Sequence, residues 1–324
     1  MDIINVVMKN ILISTVGKRY ELVRAFRETL QKYDKEAKVL STDMNPKLAP
    51  AAYLCDKCFQ SPKVTDPSYV EWLLKLCVDH QIGMIIPTID TELLLLAHHK
   101  KKFEEKGIFV IVPNEDLVKV FRDKRNTGSF FEGHHIRIPR SISKENPTFP
   151  LFAKPYDGSL STNLHYIKCA EELTSEIIKD EKLMFMEYIN PSDYKEYTID
   201  MYYGKDGKLK CAVPRERIQI RAGEINKGKT EKGFLLEFVK ERLGYLVGCR
   251  GCVCMQLFYC QANKDVVGIE VNPRFGGGYP LSYASGANYP DFLIREYYLG
   301  EEIQYFEDWK DQLYMLRYDA AVYI

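Results

Sequence analysis

The sequence has no charge excess: 45 Lys and Arg stand against 45 Asp and Glu. A global field that would draw the chain onto nucleic acid or an anionic bilayer is therefore missing, and any anion site must be local. Long hydrophobic runs are missing too. The longest, such as Leu93 to Ala97, fall far short of the ~20 residues a membrane helix needs. No basic start followed by a long apolar region opens the chain. These absences predict a cytoplasmic protein with no nucleic-acid or membrane partner. Internal repeats, low-complexity tracts and long flexible linkers are also lacking. Met8 offers an alternative start, since the first seven residues precede every recognisable element.

Three common catalytic signatures are missing as well. Gly17-Lys18 follows an apolar run as in a P-loop, but Leu12 stands where the leading glycine belongs and Arg19 replaces the metal-binding hydroxyl residue. Ser14-Thr15-Val16-Gly17 carries one glycine where a dinucleotide fingerprint needs three. Asp43 closes the second strand where a ribose ligand would sit, which keeps a dehydrogenase as a minor alternative; its simpler role is to cap the turn before Pro46. No G-x-S-x-G surrounds Ser282 or Ser285, which argues against a serine hydrolase.

The 324 residues, 46% hydrophobic and 28% charged, predict a folded chain of two or three packed units. Its first third alternates strands (10–15, 38–42, 84–87, 108–112) with helices (19–32, 69–80), the pattern of right-handed crossovers over a parallel sheet. A Rossmann-like domain over 1–113 follows. Asn114 caps a helix with Glu115 and Asp116 in its first turn, and a second helix runs from Lys124 to Glu132. From Pro150 the texture becomes α+β. Strand runs at 151–154, 165–169, 183–188, 197–203, 209–213 and 217–221 are interrupted by helices at 170–179 and 234–243. Strands at 253–261 and 265–272 flank a turn around 262–264. Residues 279–299 read as helix broken by Gly286 and Pro290. Nine cysteines without a secretory segment fit a reducing compartment. Cys55-x2-Cys58 and Cys249-x2-Cys252 have zinc-thiolate spacing, but Cys252-Val253-Cys254-Met255 lies in an apolar strand run, where cysteine serves as a small hydrophobe.

Two segments point to chemistry. Lys154-Pro155 precedes Tyr156-Asp157-Gly158-Ser159-Leu160-Ser161-Thr162, an ammonium beside small residues whose backbone donors can approach phosphate oxygens. In Val267-Gly268-Ile269-Glu270-Val271-Asn272-Pro273-Arg274, apolar residues alternate with Glu270 and Asn272, so carboxylate and amide share a face and can converge on a hard cation. Arg274 and Gly276-Gly277-Gly278 come next. Oxygen ligands beside a phosphate-pairing arginine suit Mg-nucleotide, because Mg²⁺ takes few protein ligands plus phosphate and water. Gln256 lies fourteen residues before Glu270 on the adjacent strand; an odd connecting loop puts the two on one face and an even loop on opposite faces.

In this order the segments resemble the ATP-grasp superfamily, in particular ligases similar to carbamoyl-phosphate synthase large-subunit domains. The markers are Asp123-Lys124, Lys154-Pro155 before Gly158-Ser159, Met186-Glu187-Tyr188-Ile189, Glu196 with Asp200, Arg221-Ala222-Gly223-Glu224, and Gln256-x13-Glu270-x-Asn272-Pro273-Arg274. The resemblance implies a Rossmann-like pre-ATP-grasp domain (1–113), a small lid domain (114–188) and a nucleotide- and metal-binding domain with the C-terminal segment (189–324), of mixed α/β and α+β class. It implies that Lys124 and Lys154 contact ATP phosphates and that the Gly158 to Thr162 loop closes over them. Glu187, Tyr188 and Ile189 would read adenine through backbone groups, and Glu196 the ribose. Gln256, Glu270 and Asn272 would hold Mg²⁺ or Mn²⁺, while Arg221 and Arg274 steady the transferring phosphoryl group. The implied reaction is carboxylate activation as an acyl phosphate followed by amine attack, giving an amide, ADP and phosphate. Small-molecule carboxylate and amine are the implied partners, with a homodimer left open. A carbamate-phosphorylating enzyme and a non-catalytic ATP-binding subunit are the alternatives.

Overall fold

The computed structural model describes residues 8–156 and 163–324. Its N-terminal sheet is built from β1 (Asn10–Ser14), β2 (Val39–Asp43), β3 (Lys57–Gln60), β4 (Ile82–Pro87) and β5 (Phe109–Val110), crossed by α1 (Tyr20–Tyr33), α2 (Tyr69–Asp79) and α3 (Asp90–Glu104). The order β3-β2-β1-β4-β5 is parallel throughout. Completely buried Ile11, Leu12 and Ile13 and the all-buried β4 explain the choice, since a parallel sheet covered on both faces needs continuous apolar runs. Sequence reading omitted β3 and α3. In β3 only Cys58 and Phe59 are partly covered, and α3 carries so many consecutive leucines that no helical stripe stands out.

Next come α4 (Glu115–Arg122) and α5 (Lys124–Gly133). Asn114 caps the first by accepting from the Leu117 amide at 3.0 Å, and Asp123 caps the second by accepting from the Arg125 amide at 2.9 Å. A small antiparallel sheet follows, β6 (Leu151–Pro155) between β7 (His165–Ile167) and β8 (Leu183–Glu187), with α6 (Ser175–Lys179) inserted. The helix expected over 170–179 is split: Ala170–Glu172 is a 3₁₀ turn, Leu173 is extended and Thr174 caps α6 afresh.

The largest sheet is antiparallel. It comprises β9 (Lys195–Tyr203), β10 (Leu209–Arg221), β11 (Glu224–Thr230), β12 (Gly251–Cys260), β13 (Asp265–Asn272) and β14 (Tyr314–Leu316), in the order β13-β12-β9-β10-β11-β14. The runs 209–213 and 217–221 are one strand, β10. Pro214 does not break it, because its carbonyl accepts from the Glu231 amide at 2.9 Å on the β11 side. The proline nitrogen therefore faces the same side, one residue past the end of β11, and the pairing of β10 with β9 continues through Pro214 opposite Ile199. Odd residues of β9 face α7 (Phe234–Leu243); the Tyr203 hydroxyl reaches the Leu243 carbonyl at 2.7 Å. Even residues face the other way, toward α8 (Tyr279–Ala284) and α9 (Tyr289–Tyr297), with the Tyr202 hydroxyl on Glu296 at 2.8 Å. Gly286, at φ 109°, separates those two helices.

The N-terminal layer is fastened to this sheet through α1, which packs on α8 and α9. The Phe26 ring meets Phe275 edge-on at 5.5 Å, and the Tyr33 hydroxyl donates to Asp291 at 2.6 Å. Among the described residues no helix is long and apolar enough to cross a membrane. All nine cysteines are unpaired thiols.

Candidate active site

The register of β12 on β13 decides the site. Cys260 pairs with Asp265 across a four-residue loop, and the ladder runs regularly to Leu257 opposite Gly268. Continued unchanged, this even loop would leave Gln256 and Glu270 on opposite faces. The ladder instead skips Ile269, so that Gln256 pairs with Glu270, Met255 with Val271 and Cys254 with Asn272. One extra residue forms a β-bulge and brings amide and carboxylate face to face. Ile269 bears its mark: it is only half-buried, whereas Val267 and Val271 are buried. A Cβ on Gly268 would stand 2.8 Å from the Phe131 ring, so glycine lets α5 lie close against the strand just before the bulge.

Four strands contribute to this face. Gln256 pairs with Thr198 on β9, next to Glu196, and its amide donates to the Glu196 carboxylate. Arg217 of β10 holds Glu196 from the other side at 2.9 Å and also donates to the Gly223 carbonyl at 2.9 Å. Burial pushes the Glu196 carboxyl upward against the pull of Arg217. Asn272 donates to Glu270 at 3.0 Å. Deeper on the same face Asp200 is fully buried, forked by Arg215 at 2.8 and 2.9 Å and bonded by the Ser282 hydroxyl at 2.6 Å. It supports the sheet and is not available to a ligand.

Lys154 approaches from β6. Its ammonium has no hydrogen bond or ion pair among the described residues; burial lowers its pKa to about 8, with Glu270 opposing and Lys124 adding to that shift. Lys124 is placed by its amide, which donates to the Tyr156 carbonyl at 3.0 Å and ties the start of α5 to the end of β6. A partly buried cation with no partner, beside a carboxylate and a second lysine, is the environment an incoming phosphate completes. Among the described residues no group of three His, Cys, Asp or Glu side chains is assembled. The oxygen donors at Glu270 are one carboxylate and two amides, a set suited to Mg²⁺ that brings phosphate and water as further ligands.

The other expected residues are distributed as follows. Arg274 is held by Asp90, at the start of α3, through two bonds of 2.9 and 2.6 Å. Glu187 accepts from Arg137 at 2.5 Å and from the Arg140 amide at 3.1 Å, so its carboxylate fixes the end of β8. Tyr188 stacks on Tyr166 at 4.1 Å, and Ile189 is buried. Arg221 is not brought to the group: it lies exposed at the β10–β11 hairpin, ion-paired with Asp319. Gly158 and Ser159 lie outside the described residues. Sequence reading overlooked Arg217, Asp90 and Arg19. Arg217 opens the predicted strand 217–221, and its spacing of two from Arg215 is the signal that puts both guanidiniums on one face.

Residues 11–111 match the family described as PylC-like, N-terminal domain. Residues 179–320 match the family described as ATP-grasp in the biosynthetic pathway with Ter operon. A search of the curated proteins brought no match. Among solved structures, the biotin carboxylase domain of Hydrogenobacter thermophilus 2-oxoglutarate carboxylase, in complex with MgADP, ADP and bicarbonate, covers 95% of this chain and 73% of its own, at 17% identity and TM-score 0.70. Staphylococcus aureus N5-carboxyaminoimidazole synthetase complexed with ADP covers 93% and 79%, at 15% identity and TM-score 0.70. The L-amino acid ligase of Bacillus licheniformis covers 89% and 74%, at 16% identity and TM-score 0.65. At such identities the likeness is one of fold, and it runs nearly the whole length of the chain. Residues 179–320 are thus similar to an ATP-grasp family, and the fold of nearly the whole chain is that of the ATP- and ADP-binding enzymes named above.

Proposed function

We propose that this protein is an ATP-dependent carboxylate–amine ligase. The observation that carries the reading is the bulge at Ile269, which pairs Glu270 with Gln256 next to Asn272, while Lys154, without a hydrogen bond or ion pair among the described residues, feels the charge of Glu270. Lys154 and Lys124 bind the phosphates of ATP. Glu270, Asn272 and the oxygen of Gln256 hold one or two Mg²⁺ ions, which neutralise phosphate charge. Glu196, fixed by Arg217, reads the ribose, and the chain from Glu187 to Ile189 borders the adenine. A substrate carboxylate oxygen attacks the γ-phosphorus and ADP leaves; the amine nitrogen then attacks the acyl carbon, phosphate departs, and the amine proton is released to solvent. The chain's contribution is position and charge, as phosphoryl transfer requires. Arg274, aligned by Asp90, faces the group in transfer. Arg221, which the resemblance also assigns to that group, is left out of this reading because it pairs with Asp319 at the surface.

The same reading divides the chain at Pro113 and Tyr188, in keeping with its three sheets. It places the protein in the cytoplasm, where nine thiols remain reduced. Its relatives in fold are supportive: two of the structures named above were determined with ADP, and a third is an amino acid ligase. The test is nucleotide release from Mg-ATP with and without candidate carboxylates. Carboxylate-dependent ADP supports the proposal; AMP as the product, or ADP release indifferent to every carboxylate, contradicts it.

A further inference from the structure

Arg19 stands where the N-terminal layer meets the large sheet, and among the described residues its side chain has no hydrogen bond or ion pair. Its surroundings are charged: the charges of Arg274, Glu224 and Asp90 all act on it. Each of those carboxylates is already engaged. Asp90 gives both oxygens to Arg274, while Glu224 is held by Arg317 at 3.2 Å and by Lys18 at 3.5 Å. Four cations thus face two carboxylates, and the guanidinium left over is partly buried. A half-desolvated guanidinium without a partner is costly unless an anion arrives.

The chain is built to hold Arg19 there. The β1–α1 loop takes two left-handed residues, Thr15 at φ 51° and Gly17 at φ 47°. The first is unfavourable for a β-branched residue. It is held by neighbouring strand ends: the Thr88 hydroxyl donates to the Thr15 carbonyl at 2.7 Å, the Thr15 amide donates to the Thr42 hydroxyl at 3.2 Å, and the Gly17 amide donates to Asp43 at 3.0 Å. Backbone strain restrained from two sides characterises ligand-facing loops. Across the gap lies Gly277, where a Cβ would stand 3.0 Å from the Arg19 Nη1 and 3.1 Å from the Glu224 carboxyl carbon. Only glycine leaves that nitrogen uncovered.

This position is distinct from the phosphate site. Lys154 feels Glu270 and Lys124, whereas the Arg19 guanidinium faces Gly277 and the Glu224 carboxylate, which among the described residues feature in no contact of Lys154. We propose that Arg19 docks a second acidic group, carboxylate or phosphate, on the substrate whose other carboxylate is activated, so that the ligase takes diacids in preference to monoacids. The inference rests on the ligase reading.

The experiment uses the full chain with Mg-ATP and hydroxylamine, which converts an acyl phosphate to a hydroxamate whatever the natural amine. Succinate, glutarate, L-aspartate, L-glutamate and O-phosphoserine are compared with L-asparagine, L-glutamine and butyrate, in the wild type, Arg19→Gln and Arg19→Lys. Melting in the presence of MgADP confirms that each variant folds and binds nucleotide. The expected result is hydroxamate from a diacid, with its KM raised about tenfold or more by Arg19→Gln, less by Arg19→Lys, and kcat changed far less. The dicarboxylate and O-phosphoserine arms distinguish the two acidic groups. Hydroxamate formed equally well from diacids and monoacids, or equal KM values in wild type and Arg19→Gln, overturns the inference and leaves the ligase standing. No hydroxamate from any carboxylate removes the ligase reading and this inference with it.

Discussion

Lys154 combines a cation, partial burial and no hydrogen-bond or ion-pair partner among the described residues, and two consequences follow at the residue scale. Mg-ATP at ~100 times its dissociation constant should add ~2.7 kcal/mol to the stability of the wild type. Lys154→Ala should lose much of that gain while remaining folded, as thermal melts with and without Mg-ATP would show; an undiminished shift would refute the phosphate role. The second consequence concerns pH. The pKa of Lys154 lies near 8, below its ordinary 10.5, because burial disfavours the charge. Between those values the unfolded chain holds a proton that the native protein has lost, so this lysine makes the ligand-free protein more stable as pH rises through the window. Nucleotide affinity moves the other way and weakens above pH about 8, where the ammonium is lost. Titration calorimetry against pH should show that decline in the wild type and not in Lys154→Arg. Glu270 is the only carboxylate among the three proposed metal-binding side chains. Glu270→Gln should therefore reduce turnover by about 10²-fold or more at saturating Mg²⁺ while retaining some nucleotide binding, and Gln256→Ala should cost less.

At the scale of elements the decisive feature is a single bulge. The alternation around Glu270 is plain in the sequence, and so are both strands and the turn between them. What the sequence does not display is the irregularity that sets their register: an even loop argues for opposite faces, and Ile269 reverses the result at a position no turn residue marks. Helices with caps were legible for the opposite reason, since Asn114 and Asp123 act on amides two or three residues away. Arg19 and Asp90 acquire meaning only from contacts between the N-terminal layer and the large sheet, which local pattern does not carry. The loop after β13 gives a structural prediction of its own. A Cβ at Gly278 would overlap Nη1 of Arg215, which is buried and fixed by Asp200, so Gly278→Ala should destabilise by about 1–3 kcal/mol. Gly133, with nothing within 4 Å of its would-be Cβ, is the control. Denaturant melts would separate them, and equal stability of the two variants would mean that the loop yields freely.

At the scale of the whole molecule, the site is assembled from all three sheets. The small sheet supplies Lys154, the large sheet supplies Glu196, Gln256, Glu270 and Asn272, and the N-terminal layer supplies Asp90 and Arg19. The packing of α1 on α8 and α9 and the Asp90–Arg274 pair hold that layer against the loop following Asn272. On the proposed function, phosphates and an acidic substrate meet in one gap, and the carboxylate attacks the γ-phosphorus directly. With a carboxylate substrate labelled in both oxygens with heavy oxygen, the attacking oxygen stays on phosphorus when the amine displaces phosphate. Mass analysis of the products should therefore find one labelled oxygen in the released phosphate for each amide formed, with ADP as the nucleotide. Amide accompanied by unlabelled phosphate, or by AMP, would contradict the account.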